Sequence, residues 1–170
     1  MIELRDSYKF CPWCKAELKQ KPDHKVCPSC DRQYYFNPKP TVSIVLINNQ
    51  DQLLLTKRLR EPFKDWWDLP GGFVEQGETF EEAAKRELKE EVNANPQDLK
   101  YIGSFSDDYR YRGTIIPVVA AVFTAEISDN TTIVVADDVS DYKFMKISEI
   151  EIDKIAFASQ RLFIQKYFKK

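Results

Sequence analysis

Leu69-Pro70-Gly71-Gly72-Phe73-Val74-Glu75-Gln76-Gly77-Glu78, continuing through Thr79 into Phe80-Glu81-Glu82-Ala83-Ala84-Lys85-Arg86-Glu87-Leu88-Lys89-Glu90-Glu91-Val92, is the stretch on which the fold turns. The chain has only five glycines, and Gly71, Gly72 and Gly77 fall within seven residues of it. Such a run serves a backbone that adopts conformations closed to other residues and comes close to a ligand or ion. Glu78 to Val92 then contains no Gly or Pro and places Phe80, Ala84 and Leu88 four residues apart, the spacing of one apolar helix stripe. Thr79 followed by Glu82 is a capping box that starts this helix.

The helix charges sort by spacing. Glu81 stands one turn from Lys85, and Arg86 lies between Glu82 and Glu90. Glu87 and Glu91 face each other at i, i+4 with no Lys or Arg three or four positions away, and Glu90 stands beside them near the negative end of the helix dipole. Each like-charge pair costs about 0.2–0.5 kcal/mol, and a divalent cation reverses the sign of that effect. The bland alternative is a solvated, glutamate-rich face.

The spacing Gly72, five residues, Glu78, seven residues, then Arg86-Glu87-Leu88-Lys89-Glu90-Glu91-Val92-Asn93-Ala94 resembles the Nudix box, G-x5-E-x7-R-E-U-x-E-E-x-G-U, with U a bulky apolar residue. Every charged position matches. Asn93 stands where the family has Gly, and Ala94 is smaller than the usual aliphatic; Asn is the next best residue for a left-handed helix end. The resemblance implies an α/β (α+β) fold of Nudix type, an α/β/α sandwich with a mixed sheet. It further implies a loop-helix-loop holding Mg2+ or Mn2+ against the diphosphate of a nucleotide derivative, oxygen ligands being suited to these hard cations. Carried over by position, Glu87, Glu90 and Glu91 are metal ligands together with the main-chain carbonyl of Gly71 or Gly72. Arg86 orients Glu87 and pairs with Glu78. Glu87 is the first candidate for general base; Asp137 and Asp138, in an acidic loop, are the second, with plain turn residues as the alternative.

Away from the box, all four cysteines occur in the first 30 residues, as Cys11-Pro12-Trp13-Cys14 and Cys27-Pro28-Ser29-Cys30. Two C-x-x-C knuckles have the spacing of a closed, structural Zn2+ site. The segment is too small to fold on apolar burial, and structural zinc supplies about 10–16 kcal/mol of apparent binding energy. The competing redox reading fits one knuckle better than two. His24, in the intervening loop, is expected to be solvated rather than a ligand.

With 43% hydrophobic residues in 170, one ordinary core is expected, with a few dozen residues left for the satellite. A zinc ribbon over 1–36 and a Nudix hydrolase domain over 37–170 follow, with Asn37-Pro38-Lys39-Pro40 as the extended joint. Thr41 to Ile47 and Leu53 to Lys57 read as a β-hairpin around Asn48-Asn49-Gln50-Asp51. Strands are expected near Lys100–Phe105, Thr114–Thr124 and Tyr142–Met145, and a closing helix from about Ala156 to Phe168. Phe63, Trp66 and Trp67 flank the Gly loop, so Trp67 and Phe63 are candidates for stacking on a base, with core packing as the alternative. Arg58, Arg60 and Lys64 are candidates to contact a terminal phosphate or ribose, with plain solvation as the commoner alternative.

The charge balance, 25 basic against 27 acidic residues, lacks the footprint of a nucleic-acid binder, so a small nucleotide is the expected partner and nucleic acid is not. No apolar stretch is long enough for a bilayer, the first residues do not read as a signal peptide, and a cytoplasmic setting without a membrane partner is expected. A homodimer built through the ribbon stays open. The ribbon, the Trp67-Asp68-Leu69-Pro70-Gly71-Gly72 run and Ile155-Ala156-Phe157-Ala158-Ser159 are similar to zinc-ribbon Nudix proteins that cleave ADP-ribose or FAD. The Ser-Gln-Pro-Trp-Pro-Phe-Pro signature of NADH pyrophosphatases does not occur, which demotes NADH. Hydrolysis of oxidised nucleoside triphosphates is the enzymatic alternative, and a ligand-sensing or nucleic-acid-binding module without hydrolysis is the alternative of another class.

Overall fold

The computed structural model describes residues 1–128 and 130–168, with only the backbone of Tyr167. Contacts divide the chain into two compact units: Met1–Lys39 with Asp108–Pro117, and Pro40–Asp107 with Val118–Lys170.

In the first unit, β1 (Ile2–Glu3) leads into the single turn α1 (Leu4–Ser7), and β2 (Lys19–Gln20), β3 (His24–Val26) and β4 (Gln33–Tyr35) form a three-stranded antiparallel sheet. β1 pairs in parallel with Thr114 and Ile115. The two knuckles have the same local geometry. Lys15 N donates to Cys11 O and Asp31 N to Cys27 O, both at 2.9 Å, and Lys15 and Asp31 both take positive φ, 66° and 57°. Cys11, Leu18 and Cys27 are the buried centre, with Ala16, Cys30 and Tyr34 packed against it.

The second unit is built on β5 (Lys39–Asn48), β6 (Gln52–Arg58), β7 (Trp67–Asp68), β8 (Lys100–Tyr111), β9 (Thr114–Ile127) and β10 (Val139–Lys146), with α2 (Phe80–Val92) and α3 (Ala158–Tyr167), less Lys39 and the Asp108–Pro117 tip of β8 and β9, which belong to the first. The order is β9-β5-β6-β10, with β8 beside β9 and β7 beside β6. β6 runs antiparallel to β5, β7 and β10. Thr41 Oγ1 donates to Val119 O and Thr124 Oγ1 to Val45 O, so β5 and β9 ascend together and the sheet is mixed.

Strand periodicity explains the layers. Val42, Ile44 and Leu46 of β5, Leu54 of β6 and Ala121, Phe123, Ala125 and Ile127 of β9 project to one face, where Ala83, Ala84, Leu88 and Val92 of α2 cover them. The intervening residues Val45, Leu53, Leu55 and Val122 project to the other face and meet Phe163 and Ile164 of α3 with Ile150, Ile152 and Ile155. A sheet apolar on both faces needs a helix on each, the expected α/β/α arrangement. Leu88 is fully buried; its replacement by Ala removes about 2–5 kcal/mol.

The expected hairpin and helices occur, with shifted ends. β8 and β9 extend well past Phe105 and Thr124, to Tyr111 and Ile127. α3 starts at Ala158 because Ala156 N donates to Trp67 O at 2.8 Å, which holds Ile155 and Ala156 extended beside β7.

Candidate active site

α2 begins as the sequence requires. Thr79 caps it, accepting from Glu82 N at 3.2 Å while the Glu82 carboxylate accepts from Thr79 N at 2.8 Å. It ends at Asn93 in the left-handed region (φ 54°), so Asn fills the place of the box glycine.

The loop ahead of the helix is pinned at four consecutive residues. Leu69 N donates to Gln160 Oε1 (3.1 Å), Ile44 N to Pro70 O (2.8 Å), Gly71 N to Glu91 Oε2 (3.0 Å) and Val42 N to Gly72 O (2.9 Å). The glycines therefore provide an unusual conformation and close approach rather than mobility. Gly71 has φ 143°, and a Cβ there would lie 2.2 Å from Val42 O; a Cβ on Gly72 would lie 2.4 Å from Glu87 Oε1. Of the two carbonyls left open by the sequence, that of Gly72 thus already accepts one hydrogen bond, leaving its second lone pair.

Glu87 and Glu91 are each 8% exposed, so the face that reads as unneutralised in the sequence is turned inward. Burial raises both carboxyls above the ordinary range, Glu91 well above it. The charges of Asp68 and Glu87 push Glu91 further up, and those of Glu90 and Asp137 do the same to Glu87. Arg86 resists this at Glu87. It forms a two-point pair with Glu78 (Nε to Oε1 2.7 Å, Nη2 to Oε2 3.1 Å), and its Nη1 donates to Glu87 Oε1 (2.9 Å) and Glu90 Oε2 (3.0 Å). The remaining donor goes to Phe73 O at 3.0 Å. All five N–H groups of the guanidinium are occupied.

Among the described residues, the four cysteines are the one group of three or more ligand-type side chains whose ligand atoms all lie within 4.8 Å of one another. Glu87, Glu90 and Glu91 share a helix end without converging that far, because Arg86 draws the Glu90 carboxylate to itself. Glu90 is 48% exposed and can swing. The site nonetheless suits a hard cation: two buried carboxylates, an exposed third on the same helix end, and Gly72 packed so closely on Glu87 that a Cβ there would overlap it.

Asp138 is bound to Arg60, Nη1 to Oδ1 at 2.9 Å, whereas its neighbour Asp137 is the loop acid whose charge acts on Glu87. The loop is tied to the helix end by Ala136 N donating to Glu91 O (3.1 Å). Phe63 packs against Trp66 and Phe157, ring centroids 5.5 Å away in both cases, and Trp67 is half-buried against the α3-side core, leaving Trp66 the more exposed indole. Arg58, which the sequence left between solvent and a phosphate or ribose contact, is held by Asp68 Oδ2 (2.6 Å) and Pro62 O (2.7 Å). The signal for Asp68 was its place between Trp67 and Leu69 on a strand, where an acid needs a partner.

In the first unit, Sγ–Sγ separations of 3.7 Å (Cys11–Cys30), 3.4 Å (Cys14–Cys27) and 3.6 Å (Cys14–Cys30) approach the edge of about 3.8 Å for a tetrahedron with Zn–S near 2.3 Å. All four are free thiols. Burial opposes ionisation of Cys11, yet hydrogen bonds from Tyr34 and the Cys14 and Trp13 backbone bring it down to about 6; the Arg32 backbone N–H lowers Cys30. The donor set suits a thiophilic ion. His24 is not solvated as expected: its side chain is 18% exposed and Nδ1 lies 2.7 Å from Asp23.

A glycine loop feeding a helix that ends in buried carboxylates, under a mixed sheet covered on both faces, defines a phosphate-anhydride hydrolase of Nudix type. The chain belongs to the Nudix family: the NUDIX domain model matches residues 37–167. It is 33% identical over 133 residues to an ADP-ribose pyrophosphatase of Methanocaldococcus jannaschii, covering 77% of this chain and 75% of that one. A NAD-capped RNA hydrolase NudC of Edwardsiella ictaluri is 33% identical over 106 residues, a match spanning only 40% of that relative's length. Among solved structures, a NUDIX hydrolase from Nitrosomonas europaea superposes over 95% of this chain and 93% of its own (TM-score 0.69, 26% identity). The NUDIX domain of Shewanella oneidensis NrtR, crystallised with ADP ribose, covers 78% and 88% (TM-score 0.64, 25% identity). No helix among the described residues is long and apolar enough to cross a membrane.

Proposed function

We propose that this chain is a Mg2+- or Mn2+-dependent pyrophosphohydrolase that cleaves the diphosphate of an ADP-ribose-like or FAD-like nucleotide and releases a nucleoside monophosphate. The observation that carries this is the buried Glu87–Glu91 pair beneath Gly71 and Gly72. Two carboxylates facing each other in a dry place are costly unless a cation joins them. Glu87, Glu90, Glu91 and the Gly72 carbonyl would hold the ion. When bound, it neutralises charge on the phosphoryl oxygens and lowers the pKa of water. Arg86, anchored on Glu78, fixes the Glu87 carboxylate, and Glu87 is the first candidate to take the proton of the attacking water. Asp138, drawn to Arg60, stands second, and Asp137 is the loop acid that acts electrostatically on Glu87. Trp67 and Phe63 remain candidates for the base, with Trp66 the more exposed face.

The ADP-ribose reading is supported by the pyrophosphatase relative, which matches along three quarters of its own length, and by the structural neighbour crystallised with ADP ribose. The four cysteines would hold one structural Zn2+, a role that suits the reducing cytoplasm, where thiols persist. Two domains, a ribbon over 1–36 and a hydrolase over 37–170, complete the proposal.

The deciding experiment is a hydrolysis screen of ADP-ribose, FAD, NADH and nucleoside triphosphates with Mg2+ or Mn2+, following nucleoside monophosphate release, on wild type and Glu91→Gln. Turnover of ADP-ribose or FAD by wild type, lost in a folded Glu91→Gln, is the expected result. Full activity of the variant removes Glu91 from the metal site, and tight ligand binding without any hydrolysis favours a sensor.

A further inference from the structure

Beside the carboxylates of α2 lies a buried ion pair with no part in the proposed chemistry. Asp68, at the end of β7, has an 8% exposed side chain, and its Oδ2 accepts from Arg58 Nη1 at 2.6 Å. Arg58 is 18% exposed, directs Nε to Pro62 O at 2.7 Å and lies over the Phe157 ring, 5.0 Å from its centroid. Three residues after Asp68 the chain reaches Gly71, whose N–H binds Glu91 Oε2 (3.0 Å). The peptide between them is fixed by the buried Gln160 of α3, whose Oε1 accepts from Leu69 N at 3.1 Å.

A pair whose only task is to hold the fold satisfies both carboxylate oxygens. Here Oδ1 is buried without a hydrogen bond of good geometry among the described residues, although the Gln160 side chain and the Leu69 N–H both lie near enough to ease the charge. A poorly satisfied carboxylate oxygen in a dry place is costly, which calls for a reason to keep it. Asp68 is close enough to Glu91 for the two carboxylates to interact, and the backbone from Asp68 runs directly to the Gly71 N–H that holds Glu91. Arg58 is the counter-charge that permits a second buried anion so close to the first.

We propose that Asp68, paired with Arg58 and fixed by the Gln160-bound peptide, is a positioning residue for the cation site: an acid behind Glu91 that strengthens its hold on the ion. The inference rests on the metal-site reading above. Partners one step behind metal ligands characteristically contribute about 10–100-fold in affinity.

The test is Mn2+ titration of the full chain, following free Mn2+ by electron paramagnetic resonance, with thermal unfolding of each variant as a fold check. Asp68→Asn, nearly the same shape, is expected to weaken Mn2+ binding at least about tenfold. Arg58→Met should weaken it equally, the double variant no further, and Arg58→Lys should keep affinity near wild type because the charge remains. Wild-type affinity in Asp68→Asn overturns the proposal. If Asp68→Asn does not fold, equal affinities of Arg58→Lys and Arg58→Met overturn it instead. Glu91→Gln separates the two readings: if it binds Mn2+ like wild type, the metal site itself is misplaced; if it loses binding while Asp68→Asn does not, only the role of Asp68 fails.

Discussion

Gly72→Ala and Gly71→Ala differ by one position and should fail in different ways. At Gly72 the added Cβ would stand 2.4 Å from Glu87 Oε1 and 2.8 Å from its Cδ, against ordinary contact at 3.4 Å or more. The obstacle is the tip of a side chain, so the fold accommodates it by moving the carboxylate by roughly 1 Å, enough to disturb the 2.9 Å bond from Arg86. A displacement of about 1 Å in a catalytic group costs around 100-fold in rate. At Gly71 the Cβ meets Val42 O, backbone that cannot yield, and φ is 143°. Positive φ costs about 1–3 kcal/mol and the overlap about 1–3 kcal/mol more. That corresponds to a fall in Tm of roughly 10 °C for a chain of this size. Hydrolysis under saturating Mg2+ and differential scanning fluorimetry on both variants separate the effects: Gly72→Ala should keep Tm within a few degrees and lose kcat, while Gly71→Ala loses Tm. Full kcat in Gly72→Ala would mean that the Glu87 position in this structure is not the working one.

Zinc analysis by mass spectrometry should return one ion per chain. Stripping it with a chelator should raise hydrogen exchange across Cys11–Tyr35 first, whereas unchanged exchange there after complete zinc loss would refute a structural role. Thr79→Ala removes one half of a reciprocal cap; about 1 kcal/mol of stability should go, read as about 2–4 °C in Tm, with kcat preserved. Asn93→Gly should leave Tm unchanged or raise it slightly, since φ is 54° there, while Asn93→Ala lowers it; a marked fall in Asn93→Gly would argue that the hydrogen bond from Lys89 Nζ to Asn93 Oδ1 matters more than the backbone.

The helix and its carboxylate face were legible because both rest on local spacing: Thr79 and Glu82 cap within one turn, and Glu87 and Glu91 share a face whatever else the chain does. The inward turn of that face was also readable, since Ala84 and Leu88 lie on the same side. What escaped depends on partners far along the chain. Phe157 offers α3 no side-chain cap, and the helix start is satisfied instead by Asp107 Oδ2, which accepts from Ser159 N at 2.7 Å across 52 residues. Arg58 looks like any exposed strand-end cation until β7 returns Asp68 beside it. The outer half of β8 was under-read because the tip, Asp108–Pro117, belongs with residues 1–39, where Ile2 and Glu3 supply hydrogen bonds that no local pattern announces; β9, read from Thr114, was cut short only at its other end, Ala125 to Ile127.

Arg86 also bears on how the site fills. A guanidinium has five hydrogens to give, and here Glu78, Glu87, Glu90 and a main-chain oxygen take them all. A sixth acceptor, such as an arriving phosphate, can be greeted only by releasing one of these. The exposed Glu90 is the least enclosed of the carboxylates; were it to turn toward a cation, as proposed, one arginine hydrogen would be freed in the same exchange, which would link entry of positive and negative species at one side chain.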